Sequence, residues 1–177
     1  KRQSAVQPSS FIGGTRIELI RCKLDQAAIQ KALGYYARGF ATPVFWRTEE
    51  LPRPHAQAIL NGVTTPVGFV HIPGIHGNAR DVCHEPHGYV YCQGLPVSVA
   101  GFTRHYGPGS QDVQVVHIDH HVYSPRMPDR DSLIDADKAA KDIVGALKAL
   151  WREHIAVKKF EMSSDDFVDE YWDIAKA

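Results

Sequence analysis

The chain reads as an α+β domain: a mainly antiparallel sheet in the middle, flanked by an N-terminal helix and two C-terminal helices. Three observations lead there. Short β-rich runs broken by Pro, Gly and Asn fill residues 42–124. An apolar stripe at helical spacing runs through 26–39, and two further stripes follow residue 132.

Residues 1–12 (KRQSAVQPSSFI) are polar and aperiodic, which predicts a tail or linker and leaves 13–177 as one globular domain. The run TRIELIRCKL at 15–24 is β-like, but its alternation slips at Leu19 and Ile20, as in a strand buried on both faces or carrying a bulge. Asp25 then caps a helix whose apolar face is Ala28, Ile29, Ala32, Leu33, Tyr36 and Ala37, with Gly39 as its stop. TPVFWRT at 42–48 predicts a second strand, and Pro52 and Pro54 introduce a short helix ending at Asn61 and Gly62. PVGFVHI at 66–72 predicts a third strand with Val67, Phe69 and His71 on one face. A loop rich in His, Gly and Asn follows over 73–86, and then GYVYC and LPVSVAGF form a hairpin across Gln93 and Gly94.

After the central run discussed below, Ser132 and Asp135 resemble a capping box for a long helix. Its buried stripe is Ala136, Ala139, Ala140, Ile143, Leu147 and Leu150. The last helix begins after Ser163 and Ser164, with Asp165, Asp166 and Asp169 near its positive end. Phe167, Val168, Tyr171 and Trp172 pack it down.

Twenty basic residues balance twenty acidic ones in this 177-residue chain, so net charge indicates neither nucleic acid nor membrane as a partner. No apolar run reaches the roughly 18 residues of a membrane span and no secretory signal is visible, so the expectation is a soluble, cytoplasmic protein. The start at Lys1 suggests a trimmed chain or a piece of a larger protein. Three irregularly spaced cysteines, Cys22, Cys83 and Cys92, argue against a disulfide framework.

Histidine is the anomaly: eight of ten lie between residues 71 and 121. The run DVQVVHIDHHVYS at 112–124 concentrates them. Read as one strand, its even positions (Gln114, Val116, Ile118, His120 and Val122) suit a core, and its odd face carries His117, Asp119, His121 and Tyr123. Residues two apart on a strand face lie about 6.6–7 Å apart, close enough for two side chains to share a zinc ion. The pattern therefore makes His117 and Asp119 metal ligands, His71 the third ligand, and His121 the acid or base. Glu85, inside the His cluster, is a second catalytic candidate if its loop folds over the strand. The competing reading is a solvated strand face with a local His–Asp pair. Cys83, His87 and Cys92 form a weaker zinc set that lacks a short C-x₂-C arm.

IDHH at 118–121 resembles the signature of the DHH phosphoesterases, which hydrolyse phosphoesters at a metal pair; the earlier aspartate motifs of that family are absent, so no family is assigned. P-loop, GxGxxG, GxSxG and HExxH signatures are also absent. The leading expectation is a metal-assisted hydrolase, zinc-dependent, acting on a phosphoester or peptide bond in a small or polymeric substrate. One alternative is a non-enzymatic interaction domain of a larger protein, with a protein partner. Another is a metal-free His acid–base enzyme, such as an RNase-like catalyst.

Overall fold

The computed structural model describes residues 23–76, 88–100, 102, 113–127 and 130–176. The expected tail at 1–12, nearly all of the expected strand at 15–24, and Glu85 and Cys83 with most of their loop lie outside the described residues.

The α+β class is observed. Helix α1 (Gln26–Ala37) starts as its sequence predicts, the Asp25 carboxylate accepting from the amides of Ala27 at 2.9 Å and Ala28 at 3.4 Å. Next comes an isolated two-stranded ribbon, β1 (Phe45–Trp46) and β2 (Glu49–Glu50). The main sheet holds β3 (Val63–Thr65), β4 (Gly68–His71), β5 (Gly88–Cys92), β6 (Leu95–Val97) and β7 (Gln114–Ile118), in the order β3-β4-β7-β5-β6. Both hairpins and the β4–β7 pair are antiparallel, whereas β5 and β7 run parallel. A one-turn α2 (Pro73–His76) follows β4, and α3 (Ala136–Glu161) and α4 (Ser164–Lys176) close the chain.

Register divides the sheet into two unlike faces. Directly paired residues share a face. Val70, Val116, Val90 and Val97 therefore line one side, where α3 covers them with Ala139, Ile143, Leu147 and Trp151. Phe69, His71, Val115, His117, Tyr89 and Tyr91 line the other, against His55 and Leu60 of the segment after α1. The stripe expected on α3 is the observed one, extended by Trp151. On α4, Phe167 and Tyr171 pack down as expected, while Val168 and Trp172 are exposed.

Other elements differ from their sequence reading, each for a tertiary reason. The expected strand at 42–48 shrinks to β1 because the chain reverses at once through Arg47, which sits at φ 58. In place of the expected short helix before Gly62 there are single turns, since the His55 amide is drawn away to the Arg38 carbonyl at 3.0 Å. The capping box does not form: Asp135 makes no side-chain cap, and Ser132 instead bridges Ser98 beyond the end of β6. Among the described residues, no helix is long and apolar enough to cross a membrane.

Candidate functional site

The central strand stops one residue before its expected acidic ligand. After Ile118 the Asp119 amide donates to the Val67 carbonyl at 3.0 Å, and the Asp119 carbonyl accepts from Val122 at 3.0 Å and Tyr123 at 2.9 Å. The Asp119 carboxylate takes the His121 amide at 2.9 Å, an Asx-turn that fixes the reversal. Gly68 makes the approach possible. It sits at φ 125, where a Cβ would collide with the His117 carbonyl oxygen and lie 2.8 Å from the Asp119 amide nitrogen.

The expected row of His117, Asp119, His121 and Tyr123 is therefore not one strand face. His117 stays on the sheet and stacks on Tyr91, with ring centroids 5.1 Å apart. Tyr123 is buried on the opposite side, against the α3 core, its hydroxyl donating to Asp142 at 2.9 Å. Burial and then this hydrogen bond push the Tyr123 phenol up to about 12. His120 and Val122, which alternation would have turned inward, are exposed because the turn abolishes the alternation.

The turn assembles a different group. The ligand atoms of Asp119, His120 and His121 lie within 4.8 Å of one another, and the two imidazole centroids are 4.0 Å apart. Among the described residues neither His71 nor His117 joins a ligand group with Asp119. His71 is buried and its Nδ1 donates to the Asn61 carbonyl, while its ring stacks on His76 at 5.7 Å. His117 uses Nε2 to reach the His55 carbonyl at 2.6 Å. His121, expected as acid or base, lies in this Asp–His–His group, which could hold a metal ion. Glu85 lies outside the described residues.

His117 and His71 belong to a layer of rings with defined protonation. A carbonyl oxygen only accepts, so His117 carries its proton on Nε2 and His71 on Nδ1. His76 is the reverse case, its Nδ1 accepting from the Ile72 amide at 2.9 Å. His55, with 3% of its surface exposed, pairs Nδ1 with the Tyr91 hydroxyl at 2.6 Å and lies 4.6 Å from the Tyr89 ring. Burial lowers His55 to about 3, helped by the Arg38 guanidinium and the neighbouring imidazoles. Burial also lowers His117 and His76. At neutral pH these three rings are uncharged.

A groove of about 500 Å³ opens beside the turn, with His117, Ile118, Asp119 and His120 in its lining. Its remaining walls come from the segment after α1, from β3 and β4, and from the turn at Gln93 and Gly94. The sequence reading passed over two residues of this region, His120 and His55. For His120 a signal existed: a run with β-branched Val113, Val115, Val116 and Ile118 gives way to Asp-His-His, and an Asp that opens a turn bonds the backbone two residues on. For His55 none did, because its partners Tyr91 and His117 are distant in the chain.

Comparison with family models, with curated proteins and with solved structures finds no match for this chain.

Proposed function

We propose that the chain is a metal-dependent hydrolase whose ion is held by Asp119, His120 and His121 at the mouth of the groove. The observation that carries this reading is the closeness of one carboxylate and two imidazoles on an exposed turn beside a cavity. Three such ligands with an open position are the donor set of catalytic zinc sites. Tetrahedral zinc with ligand distances of 2.0–2.1 Å puts donor atoms roughly 3.4 Å apart. Rotation of the exposed His120 and His121 side chains covers the difference from 4.8 Å. A bound ion supplies a water of lowered pKa. His117, which lines the same groove outside the ligand group, is the proton acceptor in this reading.

The experiment is metal analysis of the purified protein, followed by zinc titration of His120→Ala, His121→Ala and His71→Ala. The expected result is uptake of about one zinc, lost in the first two variants and kept in the third, with chelator-sensitive hydrolysis restored by zinc. A metal-free protein whose melting is unmoved by zinc would defeat it. So would iron with oxygen-dependent turnover, since two His and one carboxylate also suit Fe(II).

One observation favours a second reading, an interaction domain. Around the α3–α4 corner Val157, Phe160, Val168 and Trp172 are exposed, Phe160 to 88%. Phe160→Ser should then abolish self-association or partner capture in sedimentation and pull-down experiments; no association in the parent chain rejects it.

A further inference from the structure

We propose that the groove binds an uncharged peptide segment rather than a phosphoester; this rests on the hydrolase reading and decides between the two bonds it leaves open. Charge is the first argument. The described lining contains no Lys or Arg, and its one acidic side chain is Asp119. A phosphoester carries one or two negative charges; zinc and the Asp119 carboxylate together would offer it one positive charge, and beyond that ion the described lining has no guanidinium or ammonium to meet it.

The nearby cations do not change this. Arg53 lies behind the groove wall, where its Nη1 donates to the carbonyls of Phe40 at 2.9 Å and Ala41 at 2.8 Å. Its charge is matched by Glu50 at 2.9 Å. Arg130 touches the amide oxygen of Gln93 at 3.5 Å from outside the lining.

The second argument is the hydrogen-bonding inventory. Gln57 and Gln93 each present a donor and an acceptor, and Thr42 and Thr64 each a hydroxyl that serves as either. Neutral groups of both kinds match the alternating N–H and C=O of a peptide. Phe40 and Phe69 supply apolar surface for its side chains.

The test is an NMR titration of the isotope-labelled, zinc-supplemented chain. The probes are N-acetylated, C-amidated hexapeptides lacking Asp, Glu, Lys and Arg, with inorganic phosphate and bis(nitrophenyl) phosphate as competitors. Peptide should shift the amide signals of Thr42, Gln57, Thr64 and Gln93. Its affinity should fall about five- to tenfold in Gln57→Leu and stay unchanged in Arg130→Ala. If the phosphate probes move those signals at lower concentration, if affinity falls in Arg130→Ala, or if no peptide binds, the proposal is overturned. Zinc uptake is read in the same samples. Peptide binding without zinc uptake removes the metal reading and keeps the groove assignment, whereas zinc uptake with phosphate preferred does the reverse.

Discussion

The two faces of the sheet are built on opposite principles. Under α3, the face of Val70, Val90, Val97 and Val116 meets Ile143 and Leu147 and consists of aliphatic groups that only need to be packed. The opposite face sets His71, Tyr89, Tyr91 and His117 against His55, so nearly every ring there carries a polar atom needing a partner. Stability on the first face scales with buried area and tolerates any side chain of suitable shape. On the second it depends on a particular tautomer at each imidazole. The candidate groove opens on the second face, where His117 is both a member of the ring layer and a groove residue. The folded scaffold and the candidate chemistry thus meet at one side chain.

The largest expected effect lies on the apolar face. Ile143 is fully buried, and Ile143→Ala should cost about 2–5 kcal/mol, measured by urea denaturation. On the proposed function, zinc uptake at the Asp119–His121 turn should persist in whatever fraction stays folded. A loss under about 1 kcal/mol would show that α3 is not the principal cover of the sheet.

Acid should act on the other face. His55 is held at about 3 in the folded chain against 6.5 for an ordinary histidine. Between those values the unfolded chain binds the extra proton, so stability rises with pH through this window and is lost as pH falls from about 6.5 towards 3. Lowering the pH from 7 to 5 should remove about 2 kcal/mol through His55 alone, and His117 and His76 add in the same direction. The check is a set of urea melts across pH together with an NMR titration of the His55 ring. A His55 imidazole that titrates near 6 would refute the strong lowering of this ring by burial.

The two faces were unequally legible in the sequence. The α3 stripe was readable because helical spacing is local: Ala139, Ile143 and Leu147 recur at three to four residues and point the same way whatever lies beneath. The Asp25 cap was readable for the same reason. The ring layer was half readable. Alternation placed His71 and His117 beside apolar neighbours, but the hydrogen bonds to Asn61 and His55 that occupy them arise from chain segments 10 and 62 residues away. The end of β7 was misread because alternation carries no mark of where a strand stops. What stops it is a contact with Val67 across the sheet, made close by Gly68. The group of side chains close enough to share a metal ion among the described residues is consequently Asp119, His120 and His121, not the expected His71, His117 and Asp119.

The sharpest and smallest comparison makes the same substitution on each face. Tyr91→Phe and Tyr123→Phe both remove one hydroxyl and leave ring and volume in place. Tyr91 is the partner of His55 Nδ1, and neither ring is open to solvent: Tyr91 is 1% exposed and His55 3%. Its loss strands a buried nitrogen, and the expected cost is about 1–3 kcal/mol. Tyr123 donates to Asp142, whose side chain keeps 38% of its surface in solvent. Water can take over that carboxylate oxygen, so the cost should be near the lower end of the 0.5–1.5 kcal/mol of an ordinary hydrogen bond, about 0.5 kcal/mol. Tyr91→Phe should also raise the titration point of His117 or His55 seen by NMR only if it admits water to the layer, whereas Tyr123→Phe should leave both unmoved. Equal costs for the two variants would mean that the ring face is as accessible to water as the α3 boundary, and the contrast between the faces would then be one of composition alone.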